Sequence, residues 1–186
     1  MTGGELNVLL RKMQDGDDKA FEQLYKSMYK PVCSVTYAVV GDYVLAEDAA
    51  QEAFITIYRK CCQYRREDNP SAWIFTIAHN TAVNMMRKLG RETSLTQESL
   101  QSMGASSIDA PVEQLEHADL LETLFAVLSE TDRKIVIYHL VAGLKHRETA
   151  AILDLPLGTV LRRYHMALKK MKQVTEGGGE DEKNKQ

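Results

Sequence analysis

Hydrophobic residues recur every three or four positions through most of the chain, which is the spacing of amphipathic α-helices. In the first half, residues 15–18 indicate a turn and a helix start, and an apolar stripe then runs through residues 21–39. Gly41 breaks this pattern, and a second stripe covers residues 45–57. An Asn-Pro-Ser sequence then predicts the start of a third helix, over residues 72–89. The first half is therefore predicted to be a helical bundle.

A polar stretch separates this bundle from the second half. Residues 93–112 are rich in Ser and Thr and contain no Lys or Arg, which predicts a flexible linker. Helical spacing then resumes, and Ser129, with Asp132 three residues later, is typical of a helix N-terminus. The helices predicted here cover residues 115–128, the segment from Ser129 to Gly143, residues 147–153 and residues 158–174. The predicted units are a first domain (1–92), the linker (93–112), a second domain (113–174) and a disordered tail (175–186).

Composition supports an all-α fold made of two small helical domains. The 186 residues include only 11 Gly and 4 Pro, and 44% are hydrophobic, which excludes fibrous proteins and extensive disorder. The formal net charge of −3 excludes a uniformly basic nucleic-acid-binding coat but permits a local basic patch. Neither a signal peptide nor an apolar run of membrane-spanning length is visible. We therefore expect a cytoplasmic protein without membrane insertion.

Motifs for catalysis and cofactor binding are missing from the sequence. It contains no glycine-rich dinucleotide loop, no P-loop, and no HExxH or ExxH metal motif. The three cysteines, Cys33, Cys61 and Cys62, are too few and too unevenly spaced for a disulfide framework, and we expect free thiols. A metal-dependent enzyme built on the acidic second helix is one hypothesis, but no histidine lies near those carboxylates in sequence. We expect no enzyme, no cofactor, no bound metal and no small-molecule substrate.

A short helix, a tight turn and a basic helix between residues 147 and 172 form the strongest local pattern. Small and apolar residues, among them Ala150, Ala151 and Val160, can pack the two helices together, as a helix-turn-helix requires. From residue 158 to residue 172, five residues are Lys or Arg and none is acidic. The alternative is a basic helix that only complements its own dipole. The whole pattern favours DNA binding.

Charge changes sign within the first half. No Lys or Arg occurs in residues 31–58, and Lys and Arg then cluster in residues 59–66. Together with the helix-turn-helix, these segments resemble the group IV, or extracytoplasmic-function (ECF), RNA polymerase sigma factors of the sigma-70 family. The segments that resemble sigma region 2 are DKAFEQLYKSMYKPV, YVLAEDAAQEAFITIYRK and NPSAWIFTIAHNTAVNMMRK. The segment that resembles region 4 is LSETDRKIVIYHLVAGLKHRETAAILDLPLGTVLRRYHMALKKMK.

The resemblance implies an alternative sigma factor that binds core RNA polymerase, directs it to specific promoters and promotes promoter melting. The region 2 residues implied to bind core polymerase are Asp48, Gln51, Glu52, Ile55 and Arg59. Those implied to bind the minus-ten element as single-stranded DNA are Tyr64, Arg65, Arg66, His79, Asn80, Asn84, Arg87 and Lys88. The region 4 residues implied to read the minus-thirty-five element are Thr159, Arg162, Arg163, His165, Met166 and Lys169.

Four positions depart from the family's pattern, and one further partner is expected. Asn84 stands where the family often has Asp, and Tyr164 replaces a common aliphatic residue. Leu161 and Met166 stand where the family often has basic residues, so Arg162 and Arg163 are expected to carry more of the DNA contact. An anti-sigma factor is expected because factors of this family are commonly held inactive by one. The alternative function is a stand-alone helix-turn-helix DNA-binding transcriptional regulator whose first half binds a ligand or dimerises. The acidic helix followed by a basic loop favours the sigma factor, since a plain regulator needs no polymerase-docking surface.

Overall fold

In the computed structural model, residues 1–65, 69–95 and 125–177 are described. Within these ranges the chain forms seven α-helices, a 3₁₀ turn at Cys61–Gln63 and no β-strand, so the predicted all-α fold is confirmed. The helices are α1 (Gly3–Gln14), α2 (Asp18–Val40), α3 (Tyr43–Lys60), α4 (Pro70–Leu95), α5 (Glu130–Leu140), α6 (His146–Ile152) and α7 (Leu157–Gly177). None of these helices is long and apolar enough to cross a membrane.

Parts of the sequence predictions concern residues outside the described ranges. These are Arg66, residues 96–112 of the predicted linker, residues 115–124 of the predicted fourth helix and residues 178–186 of the predicted tail. The first three residues of the predicted linker, 93–95, belong to α4, and residues 175–177 belong to α7. Both helices therefore extend further than the apolar pattern predicted.

The sequence pattern did not predict α1, which begins with a capping box. Thr2 Oγ1 accepts a hydrogen bond from the Glu5 backbone N–H at 3.3 Å, and the Glu5 carboxylate accepts one from the Thr2 N–H at 2.7 Å. These bonds satisfy N–H groups that a helix start otherwise leaves open. The helix then buries four apolar side chains, Leu6, Leu9, Leu10 and Met13.

The other helix ends of the first half follow the predicted signals. The Asp17 and Asp42 carboxylates accept hydrogen bonds from first-turn N–H groups of α2 and α3, at 3.0 and 2.9 Å. Asn69 Oδ1 does the same for α4 at 3.0 Å. Gly41, between α2 and α3, has a φ of 73°, which residues with side chains rarely adopt. This turn lets α3 fold back against α2.

Helices α1 to α4 enclose the larger hydrophobic core. All four helices contribute large buried side chains, Leu6, Leu10, Leu24, Val32, Val35, Phe54, Ile57, Ile74 and Phe75. The buried side of α3 is mostly alanine, which allows close approach of its neighbours. The Thr36 hydroxyl, fully buried, lies within hydrogen-bonding distance of the Ala46 carbonyl oxygen at 2.9 Å and so ties α2 to the first turn of α3.

Helices α5 to α7 form a smaller body around its own core, which consists of Leu128, Ile135, Val136, Ala150, Val160, Tyr164 and Ala167. Helices α6 and α7 each begin within one residue of the predicted start. The turn between them contains Asp154 at a φ of 52°, a left-handed conformation that Asp tolerates better than most residues with side chains. Together α6, this turn and α7 make the predicted helix-turn-helix.

Helix α5 is buried on two sides and joins the two bodies. Ile135 and Val136 lie in the smaller core, whereas Ile137 and Tyr138 lie in the larger core of α1 to α4. At about 100° per residue, four consecutive helical residues cover the whole circumference. The prediction of two domains joined by a linker did not include this packing of one body against the other.

Candidate functional site

One face of α3 is open to solvent along its length. The five residues predicted to bind a protein partner, Asp48, Gln51, Glu52, Ile55 and Arg59, are all exposed. Successive residues of a helix are about 100° apart around its axis, and by this measure the five residues fall within a single arc of about 100°. We call these five residues the α3 face. Because the alanine side of α3 is buried in the core, the helix must present this face outward. Ile55 is 44% exposed and places an apolar side chain among polar ones.

Two apolar residues extend the α3 face, and sequence reasoning missed both. Val44 and Tyr58 are 67% and 46% exposed. The Tyr58 hydroxyl donates a hydrogen bond to the Asp18 carboxylate at 3.1 Å, and its ring meets Phe21 edge-on. The hydrogen bond and the negative charge of Asp18 raise the pKa of Tyr58, so the hydroxyl stays protonated. The sequence did contain a signal for Tyr58, because Tyr58 follows Ile55 by three residues and so lies on the same side of α3.

Helix α4 presents a polar face that carries positive charge. Its exposed members are Asn80, Asn84, Arg87 and Lys88, which fall within an arc of about 100° and are called the α4 face below. Residues 70–91 contain no Asp or Glu, so this segment supplies no carboxylate to neutralise the cations. Amides flanked by cations suit a nucleic-acid strand, since bases offer hydrogen-bonding edges and the backbone is anionic.

His79 was predicted with these residues but lies about 80° outside their arc and is half-buried. Its Nδ1 is 2.7 Å from the Tyr138 hydroxyl on α5, and the two rings meet edge-on. Burial, together with the Lys134 charge, lowers the pKa of His79 from 6.5 to about 4. At neutral pH the imidazole is therefore uncharged, and its Nδ1 shares a hydrogen bond with the Tyr138 hydroxyl. The structure places His79 in the contact between the two bodies, apart from the α4 face.

The loop after α3 is anchored at Tyr64. Only 7% of Tyr64 is exposed, its hydroxyl donates to a side-chain oxygen on α1, and its ring centroid is 5.3 Å from that of Trp73. Gln14 Nε2 donates to the backbone oxygens of Cys61 and Tyr64 at 2.8 and 3.0 Å. Arg65, the next residue, is exposed. In this arrangement Tyr64 positions the loop, whereas Arg65 is open to a ligand.

Helix α7 brings four of its six predicted residues together. Arg162, His165, Met166 and Lys169 are exposed within an arc of about 100°, and they form the α7 face. Thr159 is half-buried in the first turn, where its N–H donates to the Pro156 carbonyl at 2.9 Å. The face is cationic with one exposed apolar side chain, the composition expected at a DNA groove.

Arg163 turns away from the α7 face. Its Nη1 donates to Asp132 Oδ1 at 2.9 Å, and the Ser129 hydroxyl donates to the same carboxylate at 2.7 Å. Burial acts to raise the pKa of Asp132, but the hydrogen bonds from Ser129 and Arg163 outweigh it and lower the pKa. Asp132 is 7% exposed, so a nearly buried carboxylate joins α5 to α7. Sequence reasoning missed this pairing because 31 positions separate the two residues.

Two imidazoles pack on Tyr164 at the inner side of α7. The His139 and His146 rings are stacked with centroids 4.1 Å apart, and Tyr164 meets them at 4.8 and 4.7 Å. Burial and the neighbouring charges of His139 and His165 lower the pKa of His146. Tyr164 therefore serves the packing of the smaller body.

The described ranges contain no group of His, Cys, Asp and Glu side chains placed to hold a metal ion. All three cysteines are free. Burial raises the pKa of Cys33, and burial with a hydrogen bond to Cys62 raises the pKa of Cys61. Both thiols therefore stay protonated at neutral pH.

Two family models match the segments that carry these faces. Residues 24–92 match the model of sigma-70 region 2, and residues 118–171 match the model of sigma-70 region 4. The first match contains the α3 and α4 faces, and the second contains the α7 face.

Curated relatives align with most of the chain. The ECF RNA polymerase sigma-E factor of Escherichia coli (strain K12) is 33% identical over 172 residues, which cover 86% of this chain and 88% of that protein. The RNA polymerase sigma-H factor of Pseudomonas aeruginosa is 27% identical over 169 residues, with the same two coverages of 86% and 88%.

Solved structures share the fold. CnrH in complex with the cytosolic domain of CnrY has a TM-score of 0.62 at 16% identity and covers 93% of this chain and 98% of that one. The sigma factor RpoE in complex with the anti-sigma factor NepR from Bartonella quintana has a TM-score of 0.67 at 23% identity. That match covers 85% of this chain and 98% of RpoE.

Proposed function

We propose a role for each exposed face from the premise that this chain belongs to the ECF group of the sigma-70 family. It is an alternative sigma factor for transcription initiation. The observation that carries the conclusion is the occurrence of region 2 and region 4, in that order, in one chain. We propose a non-enzymatic subunit that works in the cytoplasm, where RNA polymerase acts, and that needs neither a cofactor nor a small-molecule substrate.

The α3 face is proposed to dock on core RNA polymerase, as the family resemblance implies. Ile55 and the neighbouring Tyr58 supply apolar anchors, and the acidic residues around them complement a basic partner. Protein interfaces draw most of their affinity from a few such anchors within a polar rim. The exposure of Ile55, 44% in the free chain, supports this role.

Three variants test the docking face. Ile55→Glu and Glu52→Ala should weaken binding to purified core polymerase, Ile55→Glu by at least about tenfold. Lys60→Ala is the matched control, because Lys60 is exposed on the same helix about 80° outside the arc. The control should bind within about twofold of the original chain. Equal binding by all three variants would refute the docking face.

The α4 face and Arg65 are proposed to bind the minus-ten element as a single strand. The two asparagines offer hydrogen bonds to bases, and the cations offer contacts to phosphates. Arg66 remains a predicted contact of the same loop. We propose that Tyr64 contributes by positioning the loop, and that His79 becomes available only after it separates from Tyr138.

The α7 face is proposed to read the minus-thirty-five element in the major groove. Arg162 can bond a guanine edge or a phosphate, Lys169 a phosphate, and Met166 can contact a thymine methyl group. Thr159, near the start of the helix, remains a predicted contact there. Arg163 is proposed to act indirectly, by fixing α7 to Asp132.

An anti-sigma factor is proposed as a further partner. Support comes from two structural relatives, which were solved as complexes of CnrH with the cytosolic domain of CnrY and of RpoE with NepR. Purification of the chain from its native cells tests the proposal. A stoichiometric protein that dissociates when core polymerase is added is the expected result, and recovery of the chain only free or polymerase-bound would contradict it.

Run-off transcription with purified core polymerase and genomic fragments tests the function as a whole. Discrete transcript starts, preceded by two shared sequence elements at constant spacing, are the expected result. Binding to duplex DNA without any stimulation of core polymerase would instead favour the stand-alone helix-turn-helix regulator.

A further inference from the structure

We propose that a groove between α1 and the loop after α3 is a further binding site for single-stranded DNA, which holds one base and its phosphate next to the part of the strand bound at Arg65. The groove has a volume of about 600 Å³. Its lining residues are Gly4, Asn7, Val8, Arg11, Gln14 and Tyr64, and they define the α1 groove. This inference rests on the proposed minus-ten role of the α4 face and Arg65.

Five of the six lining residues lie on one side of α1. At about 100° per residue, the positions from Gly4 to Gln14 that line the groove fall within an arc of about 120°. Tyr64, from the loop, forms the opposite wall. The volume lies within the range of about 300–1,000 Å³ that is usual for ligand sites in proteins. The α1 groove therefore has room for a nucleobase.

Hydrogen bonds between the two walls fix the shape of the α1 groove. Gln14 Nε2 donates to the backbone oxygens of Cys61 and Tyr64 at 2.8 and 3.0 Å, which uses both hydrogens of the amide. The Tyr64 hydroxyl donates to Asn7 Oδ1. The side chains that line the groove are thus oriented before any ligand arrives, which lowers the entropic cost of binding.

The same hydrogen bonds leave one donor and one acceptor in the α1 groove. Asn7 Nδ2 donates to none of the residues that the structure describes, and Gln14 Oε1 accepts from none of them. A donor and an acceptor on neighbouring amides match the edge of a nucleobase, which carries both kinds of group. Val8 is 55% exposed and adds an apolar surface for the face of the base.

The charge of the α1 groove suits an anionic ligand. Arg11 is exposed, and residues 6–14 contain no Asp or Glu. The exposed Arg65 directly follows Tyr64, and the Cα atoms of consecutive residues are about 3.8 Å apart. A strand that contacts Arg65 therefore reaches the groove wall within about one nucleotide. This continuity favours a DNA strand over a free small molecule.

Two groove variants, each with a matched control, test the site. Arg11→Gln removes the cation of the groove, and Lys12→Gln removes the neighbouring exposed cation, which lies about 100° further around α1 and outside the groove. Val8→Glu places a carboxylate in the groove, and Gln23→Glu adds the same charge at an exposed position on α2. Both groove positions are exposed, so circular dichroism and urea denaturation should match the original chain. Arg11→Gln decides alone if Val8→Glu is unfolded.

The first measurement is binding of a single-stranded oligonucleotide by the complex with core polymerase. The oligonucleotide spans the minus-ten element of a start found by run-off transcription and extends beyond it on both sides. Arg11→Gln should weaken binding about fivefold near 0.1 M salt and make the salt slope shallower by about 0.7, the share of one phosphate. Val8→Glu should weaken binding at least about fivefold, and both controls should stay within about twofold of the original chain.

The second measurement uses oligonucleotides from which one base at a time has been removed. In the original chain, loss of the base held in the α1 groove should weaken binding at least about fivefold. In Val8→Glu the same abasic position should cost less than about twofold, because the base is no longer held there. Asn84→Ala should leave the effect of that position unchanged, since Asn84 lies on the α4 face.

Three results would overturn the α1 groove as a DNA site. These are equal losses in Arg11→Gln and Lys12→Gln, an abasic profile that is identical in Val8→Glu and the original chain, and weaker binding of the groove variants to core polymerase itself. If Asn84→Ala still weakens oligonucleotide binding, the proposed minus-ten role survives any of these. Failure of the original chain to stimulate core polymerase at any promoter would instead refute the proposed function and the groove with it.

Discussion

Arg163 Nη1 donates a hydrogen bond to Asp132 Oδ1 at 2.9 Å, and this bond ties α7 to the first turn of α5. The preceding residue, Arg162, is exposed on the α7 face. Two adjacent arginines, about 100° apart on one helix, therefore have different surroundings. One stabilises the smaller body, and the other is open to DNA.

Replacing the two arginines one at a time should separate stability from DNA binding. Arg163→Met should lower the free energy of unfolding by about 1–2 kcal/mol, because it leaves a nearly buried carboxylate without its cation. Arg162→Met should change that free energy by less than about 0.5 kcal/mol but weaken promoter binding more than Arg163→Met does. Urea denaturation and binding by the polymerase complex measure the two effects.

A double variant controls for the charge left at Asp132. Asp132→Asn combined with Arg163→Met should recover part of the lost stability, because the unpaired negative charge is gone. An Arg163→Met chain that unfolds at the same urea concentration as the original would show that the ion pair adds nothing to stability.

Gln14 should control the loop that carries Arg65. Its amide donates to two backbone oxygens of that loop, so Gln14→Ala should cost about 1–2 kcal/mol of stability. Gln14→Glu should cost more, because it replaces the donor with a carboxylate that faces two carbonyl oxygens. Gln23→Glu, an exposed change on α2, is the matched control for the added charge. Hydrogen exchange of the loop amides and urea denaturation measure both effects, and equal results for Gln14→Glu and Gln23→Glu would contradict the prediction.

Local signals in the sequence predicted most helix boundaries of the first half. Asp17, Asp42 and Asn69 each cap a helix within a few residues of themselves, so a short window of sequence contains the whole interaction. Helix α1 was missed although Thr2 and Glu5 have the capping-box spacing; the Gly-Gly pair inside it has low helix propensity. The members of the three candidate faces were instead predicted from the family resemblance, and helical spacing explains why the exposed ones share one side of each helix.

Contacts between distant segments could not be predicted from one sequence. His79 has the position of a polar surface residue until α5 is packed over it, and Arg163 has the position of a DNA-reading residue until Asp132 approaches. One signal of the contact between the two bodies was present in the run from Ile135 to Tyr138, where four consecutive apolar residues in a helix require burial on every side. That run indicates a second packing surface but does not identify what covers it.

Acidification should destabilise the folded chain between pH 6.5 and pH 4. The pKa of His79 is lowered from 6.5 to about 4 in the folded chain, so within this window the unfolded chain binds a proton that the folded chain does not. The stability linked to His79 is therefore complete above pH 6.5 and decreases as the pH falls toward 4. Burial lowers the pKa of His146 too, which acts in the same direction. Urea denaturation at a series of pH values measures the slope of the free energy of unfolding against pH.

The variant His79→Asn identifies how much of the pH dependence of the unfolding free energy comes from His79. The Asn side chain keeps an oxygen that can accept from Tyr138 but does not titrate, so the variant should lose less stability between pH 6.5 and pH 4. His165→Asn, at an exposed position, is the comparison variant. A pH profile that is identical in the original chain and in His79→Asn would exclude His79 as its source.

The cations of the α4 face should contact phosphates, and the salt dependence of binding can count them. For single-stranded DNA, each neutralised phosphate contributes about −0.7 to the slope of the logarithm of affinity against the logarithm of salt concentration. Arg87→Ala and Lys88→Ala, each tested in the complex with core polymerase on a minus-ten oligonucleotide, should therefore make the slope shallower by about 0.7. Asn84→Ala should weaken binding without changing the slope, because an amide releases no counterion. Lys26→Ala should change neither quantity, since Lys26 lies on α2 and pairs with Glu22 at 2.5 Å. A slope unchanged by both α4 variants would place the DNA backbone elsewhere on region 2.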